Sequence, residues 1–540
     1  MRSRDLHRLA STSYDVVIVG GGITGLTSAY EAATRGLSVA LVDAGDLGGG
    51  ASFNHQKTAH GGLRALQTMS VRRAREAIRE RRSLARIAPW LLRPLPFLIG
   101  TYRSFNRGRL AFRAAFVLDE WLGRDRNAGV EPELHLPRAR LLSRTATLKL
   151  FAGIRQEGLT GGAQWYDYQM VENDRLTFAF AEAADRAGAD LANYAAARRV
   201  LRENKGVSGI RVRDMFTNEE FDLRARVVVN AAGAHAAEIA VMLGTVHPFS
   251  LVKAINLVTS KAASDIALAA PDRSGRMLTL VPWRGRAIVG TGQFPTPAST
   301  ADAPITAREL EDFISDANHA FPALRLTGAD VTLIHRGLVP GLARKDGSVG
   351  LLQNSHILDH SRDGIDGAIT VVGAKYTTAR AVAERLVSVI GRRLGRQLRR
   401  SRSSTKVLPF AGIADHEALA IEMGRRLGVD LDLAVLRHLI GRYAEGAAAV
   451  VALIGERPDT AAPVVPGTPT IAAEVVHAIR TEGALRLSDI VMRRTTVGAA
   501  GHPGRAALQA CAQVAAAELA WDIRRIEEEI AAVERLYDMP

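Results

Sequence analysis

The sequence predicts an α/β protein (α+β overall) in three parts: a discontinuous parallel-sheet domain, an antiparallel-sheet domain and a C-terminal helical domain. Three observations carry that prediction. A strand–glycine–helix–strand pattern fills residues 16–43 (VVIVGGGITGLTSAYEAATRGLSVALVD). Two later apolar runs, 227–230 (VVVN) and 369–372 (ITVV), each lead into a glycine, Gly233 and Gly373. Beyond residue 413 the pattern is nearly all helical, rich in alanine and charged residues. A chain of 540 residues is too long for one simple core, so two or three domains are expected.

The opening pattern is the most specific. An apolar run from Val16 to Val19 enters Gly20-x-Gly22-x-x-Gly25, a small-residue helix follows, and a second apolar strand ends on Asp43. This is a Rossmann-like dinucleotide fingerprint in its full context. Gly20 permits the tight turn, Gly22 lets the backbone approach a pyrophosphate, and Gly25 lets the helix pack closely on the strand. The helix N-terminus offers N–H groups and a positive dipole end to phosphates. Asp43, eighteen residues past Gly25, is placed to accept hydrogen bonds from a ribose.

A Gly/Ser-rich loop at 48–52 follows, then the segment 55–64, HQKTAHGGLR. Residues 71–87 show helical spacing with a basic face, and another helix is expected at about 109–122. Between them the apolar piece 89–102 is too short to cross a membrane, carries Arg93, and is expected at most in a membrane interface. Residues 174–188 read as an amphipathic helix begun by Asp174 and closed by Gly188. Short strands follow at 190–200, 207–213 and 220–223, before the buried run at 227–230. From 247 to 341 strands dominate (250–260, 277–282, 286–290, 331–335), interrupted by a helix at 306–320. A long helix at 377–394 and a basic, Ser-rich linker at 396–406 precede the helical tail. The expected boundaries are 14–84, 166–246 and 346–400 for the dinucleotide-binding domain. They are 85–165 and 247–345 for the substrate domain, and 405–540 for the helical domain.

Composition narrows the classes. Cys511 is the single cysteine, which excludes intramolecular disulfides, a CxxC redox pair and thiolate metal clusters. The N-terminus lacks the apolar segment of a secretory signal, and no run of eighteen apolar residues predicts a spanning helix, so a cytoplasmic location is expected. The net charge of +14 is uneven: thirteen arginines face two glutamates between Arg64 and Arg113. No zinc-finger, helix-turn-helix or RNP-type pattern accompanies this charge, so no nucleic-acid partner is expected. An arginine-rich solvated surface, or peripheral attachment to the anionic inner face of the cell membrane, accounts for it.

The dinucleotide is expected to be FAD rather than NAD. FAD is extended and must be contacted at both ends, which suits a fingerprint completed by the distant elements at 227–233 and 369–373. A helix N-terminus near Thr377 would also stabilise negative charge on a reduced flavin ring. At this point the chain resembles the FAD-dependent, membrane-associated glycerol-3-phosphate dehydrogenases of the D-amino-acid-oxidase-like flavoproteins. The resemblance rests on GGGITG at 20–25, HGGLR at 60–64, NAAG at 230–233 and VPW at 281–283. It continues through Gly290-Thr291, GAKYTTAR at 373–380 and DIVMRRT at 489–495. It implies that Gly20, Gly22, Gly25, Asp43, Ser52, Lys57, Gly233, Gly373 and Thr377 contact FAD. It places His60 and Arg64 beside the flavin ring, with Arg64 as a phosphate ligand, and Lys375 at the substrate end. In chemical terms a guanidinium suits bidentate phosphate recognition. An imidazole can take a hydroxyl proton while hydride leaves for flavin N5.

The substrate half of the pattern departs from the family. Val339, in the run 336–340 (RGLVP), stands where an arginine anchors phosphate; Ala65 follows HGGLR where an aromatic is usual; and Gln293 stands where an acid is usual. Arg336, Arg344 or Lys345 would have to restore the charge. The expected reaction is oxidation of a secondary alcohol, glycerol 3-phosphate to dihydroxyacetone phosphate or a related polyol or sugar, with electrons passing to a membrane quinone. The alternatives are an amine or amino-acid oxidase of the same superfamily, or a flavin-binding protein without catalysis.

Overall fold

The computed structural model describes residues 4–66, 70–103, 108–204, 206–296, 304–343, 349–409 and 431–540, together with 418, 422 and 425. Two sheets and a helical cluster make up the molecule, as the sequence predicts. Among the described residues the first sheet has eight strands. Its main path runs His356–Asp359, Ala368–Val372, Glu220–Asn230, Ser13–Val19, Val39–Val42, Asp190–Ala192. Its centre is parallel: Val16 lies beside both Val39 and Val227, and Val228 beside Ala368. Val16, Val17 and Ile18 are fully buried, which is why this strand reads as a continuous apolar run. The chain order reverses between Ser13–Val19 and Glu220–Asn230. A crevice therefore opens past the carboxyl ends of these strands, at Gly20 and Ala231.

Among the described residues the second sheet has ten strands. Its path is Val349–Leu351, Val331–Ala343, Ser250–Thr259, Arg286–Thr296, Met277–Trp283, Ala267–Pro271, Leu92–Tyr102, Leu159–Met170, Thr58–Ala59. Most neighbours are antiparallel, and the helix Ala307–Ala320 covers part of one face, its start closed by a capping box between Thr306 and Glu309. The apolar piece near residue 90 is corrected here. It is no interfacial segment: Leu92–Tyr102 is a strand inside this sheet, paired along its whole length with Leu159–Met170. Pro94 and Pro96 fall where the strand is paired on that side only, because the pairing to Ala267–Pro271 covers just Phe97–Ile99. The short two-residue strand Thr58–Ala59 already belongs to the second sheet, and the boundary expected at 165 falls inside Leu159–Met170.

Helices Val71–Ile87 and Arg109–Leu122 occur with the bounds their periodicity predicts. The strands expected at 220–223 and 227–230 are one strand, Glu220–Asn230, whose first half pairs with a hairpin and whose second half enters the parallel core. The C-terminal helices share a core with the second sheet through Val258, Trp283, Ile288 and Leu333, joined by Phe53 from the loop before Thr58–Ala59. Among the described residues no helix is long and apolar enough to cross a membrane.

Candidate active site

The fingerprint glycines are explained by contact. A Cβ on Gly20 (φ +113°) would lie 2.5 Å from the Ala231 carbonyl oxygen, and one on Gly25 would lie 1.9 Å from the Gly20 carbonyl oxygen. Only glycine lets the first strand, its helix and the Glu220–Asn230 strand meet this closely. A Cβ on Gly373 would lie 2.4 Å from Thr24 Oγ1, so the third element closes on the same helix. The structure thus brings Gly20, Gly22, Gly25 and Gly373 to one crevice. Ser52 joins them, its hydroxyl accepting the Ile23 N–H at 2.8 Å. Asp43 accepts N–H groups from Gly21 (2.5 Å) and Gly45 (2.7 Å). Burial pushes its carboxyl up to about 6 against those two hydrogen bonds.

These residues fit a dinucleotide. The helix Ile23–Thr34 begins at Gly22, which has no side chain to cap it, and carries no acidic residue in its first turn; apart from the Ile23 N–H taken by Ser52, its positive end faces a ligand's phosphates. A Cβ at Gly50 or Gly233 would meet nothing within 4 Å, which leaves open space beside the loop and the strand end. Thr377 is buried in the turn Tyr376–Thr378 that opens helix Ala379–Arg393, while Lys375, just before it, is exposed.

Lys57 is placed differently from an exposed cofactor contact. It is fully buried in a left-handed backbone conformation (φ 57°), its ammonium bonded to the Phe53 carbonyl oxygen. The ammonium also lies 4.1 Å from the Phe53 ring centre and 5.3 Å from that of Trp283. It pins the loop that carries Ser52. Arg336 is exposed and lines a cleft of about 400 Å³ with Asn54, Arg493, Arg535 and the last residues of the chain. The two sheet ends that carry Arg336 and His60 are far apart in strand order. The side chain of Arg64, on the short helix Leu63–Leu66, and residues Arg344 and Lys345 lie outside the described residues.

His60 follows the short strand Thr58–Ala59, with its side chain half exposed. Its Nδ1 lies 3.2 Å from Asp167 Oδ2, and its Nε2 lies 2.9 Å from Thr58 Oγ1. Asp167 is buried on Leu159–Met170 and also accepts the Gly61 N–H (2.6 Å) and Arg81 Nη1 (2.5 Å). Burial would raise the Asp167 carboxyl, but the His60 hydrogen bond and the Arg81 charge hold it below the usual carboxylate range. The two glycines of HGGLR serve this arrangement. A Cβ on Gly61 would sit 2.0 Å from Arg81 Nη1, and Gly62 (φ +85°) lies against Ala74 and Ala77 of helix Val71–Ile87. The same helix sends Glu80 to Arg380, 2.7 Å away on the helix that follows Lys375, and so ties the two halves of the candidate site together.

Sequence reasoning missed Asp167 and Arg81. A signal was present for the first: Asp167 is the one charged residue in the twelve-residue strand LTGGAQWYDYQM. Arg81 read as part of a solvated basic face. Missed as well were the C-terminal contacts to the loop after Asp43. Asp46 accepts Arg493 at 2.7 Å and Arg494 at 2.9 Å, with every side chain in the trio buried or nearly so.

Comparison with known proteins adds the family. A sequence model described as FAD dependent oxidoreductase matches residues 15–389, and one described as the C-terminal domain of alpha-glycerophosphate oxidase matches 403–526. The chain is 29% identical to a glycerol-3-phosphate dehydrogenase of Synechocystis, with 98% of this chain and 97% of the relative covered. It is 31% identical to a glycerol-3-phosphate dehydrogenase of Mycobacterium leprae, with 98% and 89% covered. Among solved structures, the glycerol-3-phosphate dehydrogenase of Bacillus halodurans complexed with FAD has the same fold. Its TM-score is 0.76 at 22% identity, with 99% of this chain and 97% of that one covered.

Proposed function

Because the chain belongs to the family of FAD dependent oxidoreductases, we propose that it is an FAD-dependent glycerol-3-phosphate dehydrogenase. The carrying observation is end-to-end similarity, over both matched regions, to relatives that bear that name. Gly20, Gly22, Gly25, Asp43, Ser52, Gly233, Gly373 and Thr377 would hold FAD, with the first helix N-terminus at its phosphates and Asp43 at its ribose. Bound FAD supplies a two-electron acceptor for the hydride leaving the substrate's secondary carbon. The hydroxyl O–H breaks in the same oxidation, and its proton passes to His60 Nε2, so that the product is the ketone dihydroxyacetone phosphate. Arg64 and Lys375 would bind the substrate, and Arg336 would enter the substrate site only from a shifted position. The amine-oxidising alternative has only a shared fold behind it.

We extend the reading to the electron exit, a membrane quinone reached by peripheral docking on an anionic leaflet. The support is the outer face of helix Arg109–Leu122, where Leu110, Val117 and Trp121 are 82%, 67% and 63% exposed beside the exposed Arg113.

The reading is tested by anaerobic titration of the purified yellow protein. Glycerol 3-phosphate should bleach the visible flavin band in one two-electron step. A band that glycerol 3-phosphate leaves intact, or one bleached by amino acids instead, overturns it.

A further inference from the structure

We propose that Asp167 is a positioning residue for the proton transfer: it fixes His60 with its hydrogen on Nδ1 and its lone pair on Nε2, where a substrate hydroxyl can give up a proton. The inference rests on the reading of His60 as the base.

The argument begins with acceptor chemistry. An ionised carboxylate can only accept hydrogen bonds, so a ring nitrogen 3.2 Å from Asp167 Oδ2 must carry the hydrogen. Asp167 is held in that ionised form by donors on every side. Gly61 N–H and Arg81 meet Oδ1, and the Trp165 indole N–H approaches Oδ2 at 3.4 Å. Arg81 is itself fixed, its guanidinium also donating to the Tyr166 carbonyl at 2.9 Å. The Nε2 lone pair then faces Thr58 Oγ1 at 2.9 Å, a hydroxyl in the place that a substrate hydroxyl would take or share. Burial is asymmetric in the useful direction, because the carboxylate is 4% exposed while the imidazole is 50% exposed. The imidazole tilts against Phe97, with ring centres 5.8 Å apart.

Other charges face the pair. Asp119 on Arg109–Leu122 lies near Arg81 and is shared with Arg126, 3.6 Å away. His55 and Lys57 stand on the segment just before Thr58–Ala59, and Tyr168 on the Asp167 strand. None of these is hydrogen-bonded to the imidazole among the described residues, so Asp167 is the carboxylate that sets its tautomer.

Asp167→Asn tests this. The amide oxygen is kept by Gly61 N–H and Arg81, so its NH₂ faces Nδ1 and drives the hydrogen to Nε2, where a lone pair is required. With glycerol 3-phosphate, kcat should fall about 10²- to 10⁴-fold with little change in KM or FAD content. The acid limb of the kcat/KM profile should also move to lower pH. Native kcat and a native pH profile in Asp167→Asn overturn the inference. A second readout needs no variant at this position. In native holoprotein with ¹⁵N-labelled histidine, the neutral-imidazole resonance that disappears in His60→Gln should report a hydrogen on Nδ1; a hydrogen on Nε2 overturns the inference even where Asp167→Asn does not fold. Failure of the functional reading is separate: the native protein would then not be bleached by glycerol 3-phosphate at all.

Discussion

Lys57, expected from the resemblance to contact the cofactor, shows how much of a residue's setting lies outside its own segment. The sequence puts it beside the loop of a cofactor site, but its ammonium ends in an aromatic pocket made from Phe53 and Trp283, next to the fully buried His335. Three segments build that pocket, the first more than two hundred residues before the other two. Burial lowers the ammonium from 10.5 to about 7. The unfolded chain therefore binds more protons than the folded one between pH 7 and about 10, so stability rises with pH through that window. Below pH 7 both states are protonated and the burial penalty is present in full. Urea unfolding of the native protein and of Lys57→Met should therefore diverge with pH. The native protein should gain up to about 1.4 kcal/mol per pH unit relative to the variant between pH 7 and 10. Parallel curves would mean that Lys57 is not desolvated.

At the scale of elements, helix Arg109–Leu122 is apolar on two faces. Phe112, Phe116 and Leu122 bury the inner one, and Leu110, Ala114, Val117 and Trp121, at i, i+4, i+7 and i+11, form the outer one. An apolar stripe left exposed among the described residues, beside the exposed Arg103, Arg113 and Arg124, is the pattern of a helix lying in a lipid interface. Part of the basic stretch read from the sequence is used in ion pairs within the protein: Arg75 and Arg82 pair with Asp125 near the surface, and Arg81 pairs with the buried Asp167. Attachment should therefore depend on the stripe as well as on charge. The native protein should sediment with anionic vesicles and be weakened by salt. Replacing Leu110, Val117 and Trp121 together by glutamine should cut binding at least tenfold, since each buried side chain contributes about 1.5 kcal/mol or more. Unchanged vesicle binding by the triple variant sinks the lipid reading, and a native dimer that the same substitutions dissociate would assign the stripe to a second copy. The helix itself was legible because its periodicity is local. The strand Leu92–Tyr102 was not, because an apolar run of that length does not say which sheet will receive it.

For the whole molecule, the contact between the C-terminal helices and the first sheet is ionic where it meets the candidate cofactor loop. Asp46, three residues past Asp43, receives Arg493 and Arg494; Asp489 receives Arg493 at 2.8 Å and the Tyr194 hydroxyl at 2.7 Å; and Arg175 reaches Glu482 at 2.5 Å. Removing Asp46 from this buried set leaves Arg493 with Asp489 alone and Arg494 with Glu482 at 3.6 Å, and breaking a buried pair in this way costs about 3–5 kcal/mol at most. Asp46→Ala should lower the melting temperature, speed loss of FAD on gel filtration and open the C-terminal helices to proteolysis. Native melting and FAD retention would show that the trio does not couple the domains. The motif 489–495 was visible in the sequence as a resemblance, but its purpose was not, since Asp46 and Arg493 are 447 residues apart. By itself the sequence determined the fold class and the dinucleotide fingerprint, while His60 became a candidate only through the resemblance carried by HGGLR. Turn geometry, glycine spacing and helical periodicity are constraints that act within a few tens of residues. Only the tertiary structure decided what stands behind them: Asp167 beneath His60, Arg81 admitted by Gly61, Lys57 in its aromatic pocket and Asp46 between two arginines. Those contacts arise when distant strands and helices close on one another, and a buried charge is tolerated only where that closure supplies its partner.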